Sequence, residues 1–107
     1  SHINYLIGHT RVYAGKPDLA LEAFQASLDA RPGTTHVMAM AALMASNGFN
    51  SHALVLADRA LLQLKKEQAD DSRKVQKVRE SDILEFLATV RADLAAERAL
   101  DSPGPVE

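Results

Sequence analysis

The sequence predicts an all-α fold, a short α-solenoid built of two antiparallel helix pairs and a C-terminal capping helix. Three observations lead to this prediction. Alanine and leucine dominate the 107 residues, whereas β-branched residues are few. Apolar residues recur at three- and four-residue spacing, which is typical of helices. The two helix pairs are copies of each other at a constant offset of 33 residues.

The first helix pair is delimited by glycine and proline. We expect the first helix over residues 4–14, because Gly15 and Pro17 follow it. Pro17 suits the first position of the second helix, where no N–H is needed, and Asp18 lies where the helix dipole favours an anion. The second helix is expected to end before Pro32.

The second helix pair has the same organisation. Thr34 or Thr35 is expected to cap the third helix, which runs to Gly48, and Ser51 is expected to cap the fourth. The apolar face of the fourth helix contains Leu54, Ala57, Leu61 and Leu64.

The last third of the chain begins with a polar stretch. Ten of the sixteen residues at 65–80 are charged, so we expect the fourth helix to fray there. A polar connection near residues 69–72 and one or two further helical turns should follow. The final helix then begins at Ser81, and residues 101–107 are expected to form a flexible tail. The apolar stripe of this final helix contains Ile83, Leu87, Val90 and Leu94.

The copies align position by position. Gly15 corresponds to Gly48, and Ala20 corresponds to Ala53. A helix–turn–helix unit of this length resembles the tetratricopeptide repeat. The first copy keeps that family's spacing at Ile7, Gly8, Gly15, Ala20, Phe24 and Pro32. The second copy keeps it at Met40, Ala41, Gly48, Ala53, Ala57 and Ala60.

The chain departs from the family pattern at a few positions. Asn4 and Val37 stand where the family usually has tryptophan, and Arg11 and Met44 stand where it prefers tyrosine. The match nevertheless divides the chain into one domain, residues 1–100, and the tail. Within that domain, repeat one is 2–33, repeat two is 34–67 and the capping helix is 81–100.

Elementary physics accounts for the repeated residues. Gly8 and Ala20 are small where two helices must approach closely, and Phe24 fills the angle between them. Gly15 and Gly48 end helices in a left-handed conformation that is inexpensive only for glycine. Each pair leaves one apolar face uncovered, so pairs must stack, and the last helix is needed as a cap.

Composition argues against several classes of function. A net charge of −2 disfavours general nucleic-acid binding. The absence of cysteine excludes a disulfide framework, a thiolate metal site and a catalytic thiol. The longest purely apolar run, 37–45, is too short to span a bilayer. The compartment stays open between cytoplasm and periplasm.

No motif predicts an enzyme, a metal site or a cofactor. The four histidines lack the i, i+4 spacing of a helical zinc site, so surface or groove histidines are favoured. Neither a nucleophile-elbow pattern nor a glycine-rich phosphate loop is present. Acidic residues, Asp70 and Asp71 among them, interleave with the basic ones in 65–80, which favours a solvated, salt-bridged face over a lipid or acidic-partner site. The basic residues are Lys65, Lys66, Arg73, Lys74, Lys77 and Arg79.

The family resemblance implies a concave groove lined by the first helix of each pair. The implied groove residues are Tyr5, His9, Val12, Tyr13, Met38, Ala42 and Ala45. They would form an apolar groove with aromatic edges, without the lysine and asparagine pattern of the family's carboxylate-clamp members. The alternative is that the last helix, or a neighbouring domain, covers this surface.

The functional hypothesis is therefore a protein-interaction or scaffold domain that binds a peptide or partner segment in its groove and performs no chemistry. Two alternatives stay open. One is a soluble accessory domain of a larger bacterial membrane or envelope-assembly enzyme, such as a glycan transferase. The other is a homodimerisation module closed by the apolar groove.

Overall fold

The computed structural model describes residues 2–70 and 77–101, and over those ranges the chain is helical without any strand. Five helices follow one another and pack in contact, which confirms the all-α prediction. Their bounds are His2–Tyr13 for α1, Pro17–Ala30 for α2, Thr34–Ser46 for α3, Asn50–Asp70 for α4 and Glu80–Asp101 for α5.

The helices pack mainly with their neighbours in the chain. α1 lies along α2, α3 lies along α4, and α5 packs on α4. Smaller contacts join α2 to both α3 and α4. The radius of gyration is 15.5 Å, against about 13 Å for a compact domain of this length. The chain is therefore less compact than a typical domain of this length.

Burial in α2 and α4 repeats at the offset seen in the sequence. The buried residues of α2 are Ala20, Ala23, Phe24, Ser27 and Leu28. Those of α4 include Ala53, Leu56, Ala57 and Ala60, which lie 33 residues after the first four. The second helices of the two pairs thus turn the same face inward.

The α1–α2 contact depends on Gly8. A Cβ atom at this position would lie 2.5 Å from Cδ1 of Phe24 and 3.2 Å from the carbonyl oxygen of Ala20. Both Ala20 and Phe24 are fully buried. The predicted close approach at Gly8 and Ala20, with Phe24 filling the space between the helices, is confirmed.

The predicted glycine turns are also confirmed. Gly15 has φ +73° after α1, and Gly48 has φ +83° after α3. Both values lie in the left-handed region, which favours glycine because it has no Cβ.

The predicted N-caps are wrong. The N-cap of α3 is Gly33, and no side chain caps this helix. The hydroxyl of Thr34 instead donates a hydrogen bond to the carboxylate of Glu67 on α4. The fourth helix already begins at Asn50, so Ser51 lies inside it. The hydroxyl of Thr34, which the sequence pattern assigned to the cap of α3, therefore makes a tertiary contact with α4 instead.

The predicted fraying from residue 65 is wrong as well, because α4 is helical to Asp70. Lysine, glutamate, glutamine and alanine all have favourable helix propensities, and Glu67 is held by Thr34. In the predicted polar connection, residues 69–70 are helical and 71–72 lie outside the described residues, as do 102–107 of the predicted tail, while 77–79 are not helical. The last helix begins at Glu80, and the carboxylate of Asp82 accepts a hydrogen bond from the backbone N–H of Arg79 at 3.0 Å.

The last helix covers the outer side of α4. Ile83, Leu87 and Val90 are buried, and Leu94 packs beside them. Further along, the side-chain amide of Asn50 donates a hydrogen bond of 2.6 Å to the carboxylate of Glu97. The apolar stripe predicted for the final helix is therefore its buried face.

The Gly8 contact gives a first prediction. Gly8→Ala should destabilise the chain by about 1–3 kcal/mol through overpacking, although alanine is the better helix former. Urea unfolding followed by circular dichroism measures this. Adding Phe24→Leu to Gly8→Ala should cost less than the sum of the two single changes, because the smaller side chain leaves room for the methyl group. Strictly additive losses would contradict the contact.

A second prediction concerns the role of α5. Leu87→Ala should cost about 2–5 kcal/mol, because it leaves a cavity against α4. Leu84→Ala is the matched control, since Leu84 lies on the same helix with about half of its surface exposed; its effect should stay within about 0.5 kcal/mol. Equal effects of the two substitutions on the urea midpoint would mean that α5 is an appendage rather than part of the core.

Candidate functional site

Four aromatic rings follow one another along one side of α1. His2, Tyr5, His9 and Tyr13 are spaced by three or four residues, which places them on one helix face. Successive ring centroids lie 6.5, 5.9 and 5.0 Å apart. We call these four residues the aromatic strip.

Tyr5 connects the aromatic strip to the rest of the fold. Its ring centroid lies 5.9 Å from that of Phe24 on α2 and 5.2 Å from that of His36 on α3. Tyr5 is half-buried and packs against the core cluster. The middle of the strip is thus held by both neighbouring helices.

Both ends of the aromatic strip, His2 and Tyr13, are exposed, whereas its middle is half-buried. Tyr13 is 66% exposed, whereas His9 is half-buried. Val12, which was predicted for the groove, is only 2% exposed and belongs to the core. It follows Gly8 by four residues, so it lies on the same side of α1 as the glycine that contacts Phe24.

On α3 the predicted groove residues are accessible in part. Met38 and Ala45 are half-buried, and Ala42 is exposed. The last helix packs on α4 and leaves Ala42 open. Among the described residues, α5 therefore does not cover this side of α3.

His36 is a member of this site that the groove positions did not include. It is half-buried, and its ring lies against Tyr5. The sequence contained one signal, since His36 lies two residues before Met38 at the start of an apolar helix. The spacing between histidines could not show the contact, because tertiary packing brings together residues that are far apart in the chain.

His52, the fourth histidine, lies away from the aromatic strip, between α4 and α2. Nε2 of His52 on α4 lies 2.6 Å from a carboxylate oxygen of Asp18 on α2. A second pair of the same kind joins Arg59 to Asp29 at 3.0 Å. These contacts link the two helix pairs. Over residues 2–70 and 77–101, no group of three histidine or acidic side chains is placed to hold a metal ion.

The basic residues around α4 form no part of the strip. Lys65, Lys66, Lys77 and Arg79 are exposed, and Arg73 and Lys74 lie outside the described residues. A depression of about 600 Å³ lies between the ends of α2 and α4. It is lined by Leu28, Asp29, Pro32, Arg59, Leu62, Gln63, Lys66 and Asp70. The Arg59–Asp29 ion pair already occupies charged groups of this lining.

The site offers aromatic and apolar contact surface. The aromatic strip, His36 and the accessible α3 residues include no carboxylate, lysine or arginine. Their phenol and imidazole groups provide ring faces and a few hydrogen-bonding atoms at an otherwise apolar surface. None of the described helices is long and apolar enough to cross a membrane.

Comparison of the chain with protein-family models, with curated proteins and with solved structures gives no match.

Proposed function

We propose that this chain is a protein-interaction domain of the tetratricopeptide type. It binds an extended segment of a partner protein along the aromatic strip and the adjoining side of α3, and it carries out no reaction itself. The 33-residue offset supports the repeat assignment, since it recurs in the burial of α2 and α4.

One observation carries the proposal: Tyr13, at the end of the aromatic strip, is largely exposed and is not part of the hydrophobic core. Tyr13 keeps two thirds of its surface in solvent, although its ring lies 5.0 Å from His9. Tyrosine contributes a large contact area at a low cost in side-chain entropy, and it is enriched at binding hot spots. A row of rings that contact one another and the core through Tyr5 is more typical of a binding surface than of a surface that serves only to contact water.

The composition of this surface indicates the chemistry of the partner segment. The aromatic strip lies on α1, and the half-buried Met38 and Ala45 and the exposed Ala42 lie on α3. Met38 can adapt its shape to a ligand. The partner segment is therefore apolar or aromatic, and its affinity should change little with ionic strength because no charge pair holds it.

The test uses peptides selected on the wild-type chain from a random display library and then synthesised. Tyr13→Ala should weaken their binding, measured by calorimetry, about tenfold or more, the loss expected for an aromatic hot spot. Ala42→Glu should do the same by placing a charge in the apolar surface. Both residues are exposed, so circular dichroism should show an unchanged fold.

Leu62→Ala is the matched control, because Leu62 is 65% exposed on α4 and lies away from the strip. It should leave peptide affinity unchanged. Selected peptides that bind the Tyr13→Ala and Ala42→Glu chains as tightly as the wild type would sink the proposal. A wild-type dimer that both substitutions convert to a monomer, seen by light scattering, would identify the surface as a homodimer contact instead.

A further inference from the structure

Two imidazole rings from different helices lie against Tyr5. The ring centroid of His9, on α1, is 5.9 Å from that of Tyr5, and the ring centroid of His36, on α3, is 5.2 Å from it. Both histidines are half-buried. A peptide bound along the aromatic strip and the adjoining side of α3 therefore takes the remaining surface of both imidazoles out of water.

The two helices that carry these imidazoles contain no aspartate or glutamate. Apart from its histidines, α1 has one charged side chain, Arg11, and α3 has none. The guanidinium of Arg11 donates a hydrogen bond of 3.1 Å to the carbonyl oxygen of Leu19 at the start of α2. A proton gained by His9 or His36 therefore has no carboxylate on its own helix to compensate its charge.

The acidic residues of α2 and α4, the helices packed against α1 and α3, make other contacts or are exposed. They are Asp18 and Asp29, which contact His52 and Arg59, Asp58 and Glu67, which lie near Arg91 and Thr34, and the exposed Glu22 and Asp70. The lysines of α4, Lys65 and Lys66, are exposed as well. Within residues 2–70 and 77–101, no ion pair joins His9 or His36 to a carboxylate.

His52 has the partner that the two imidazoles at Tyr5 lack. Its Nε2 atom lies 2.6 Å from a carboxylate oxygen of Asp18, so a proton on this ring is compensated by a negative charge. A proton on His9 or His36 instead places a positive charge at an apolar surface. Removing a charge from water without a partner costs far more free energy than removing a neutral ring.

We propose that His9 and His36 make peptide binding at the aromatic strip dependent on pH. Histidine is the side chain that changes its charge between pH 5 and pH 8. The neutral imidazoles allow an apolar segment to cover them, whereas protonation makes the same contact require the burial of unpaired positive charge. The segment is held near neutral pH and released under mildly acidic conditions. This inference rests on the proposed function, because it concerns the regulation of that same surface.

The test uses peptides selected on the wild-type chain near neutral pH. Peptides that contain no histidine, acidic or basic residue and are blocked at both termini have no charge that titrates in this range. Their affinity, measured by calorimetry, should fall at least about fivefold between about pH 7.5 and about pH 5.5. A complex that excludes the proton from one imidazole loses up to roughly tenfold in affinity for each pH unit below the midpoint of that titration.

Substitutions at the two histidines locate the effect. His9→Phe and His36→Phe each keep an aromatic ring but remove the titrating group. The readout is the ratio of the affinities at the two pH values, because His9 belongs to the aromatic strip and its replacement can change the affinity itself. Each substitution should lower this ratio, and the double variant should bring it close to one. His52→Asn is the matched control and should leave both the affinity and the ratio unchanged.

Several results would overturn the proposal. One is a wild-type chain whose peptide affinity is the same, or higher, at the acidic pH. Another is a double variant that keeps the wild-type ratio, and a third is a ratio that His52→Asn abolishes. A wild-type chain that loses its helical circular dichroism signal at the acidic pH would show that protonation acts on the fold instead.

The same experiment separates this inference from the proposed function. A constant affinity at both pH values, together with weaker binding by the Tyr13→Ala chain, would contradict only the pH dependence. Unchanged binding by the Tyr13→Ala and Ala42→Glu chains near neutral pH would contradict the proposed function and the pH dependence with it.

Discussion

The contact between Gly8 and the ring of Phe24 determines how closely the first two helices lie. Phe24 is completely buried, and a methyl group at position 8 would overlap with its ring. Tyr5, three residues before Gly8, packs on the same phenylalanine, with the two ring centroids 5.9 Å apart. The candidate binding surface therefore begins at a core residue, and the position of Tyr5 depends on the packing of α1 against α2.

The second pair satisfies the same constraint with different side chains. Where the first pair combines Gly8 with Phe24, the second combines Ala41 with Ala57, and both alanines are fully buried. The loss of one large ring is accompanied by the gain of one methyl group on the facing helix. Around them, Met40 and Met44 are fully buried on α3, and methionine is suited to irregular spaces. The two helices of each pair thus pack together in both cases, although the larger side chains stand on the second helix in the first pair and on the first helix in the second pair.

Local rules of sequence predicted the five helices and the glycine turns after α1 and α3. Gly15, Gly48 and the buried stripe of α5 follow from backbone conformation and hydrophobic periodicity, which are properties of short segments. The errors arose where distant residues compete for a local group. Thr34 bonds Glu67 instead of capping α3, and the same bond holds a part of α4 that its polar composition made us expect to fray. These outcomes depend on a contact across 33 residues of sequence, which local patterns do not contain.

The candidate site shows the same division. The family resemblance implied that Tyr5, His9 and Tyr13 share one surface, and the structure brings their rings into contact. Val12 was predicted for the groove, but it packs in the core, because it lies four residues after Gly8 on the side of α1 that contacts Phe24. His36 joins the site only through the packing of α3 beside α1, which no spacing within one helix reveals.

The order in which the helices contact one another has a kinetic consequence. The main packing joins α1 to α2, α3 to α4 and α4 to α5, so most tertiary contacts connect segments that are adjacent in the chain. Little loop entropy must be lost before such contacts form, and helical proteins with mostly local contacts fold on the microsecond to millisecond scale. Each helix pair can form before the next is complete, so the apolar stripes of the helices are exposed only briefly during folding. A short exposure leaves little time for aggregation to compete with folding.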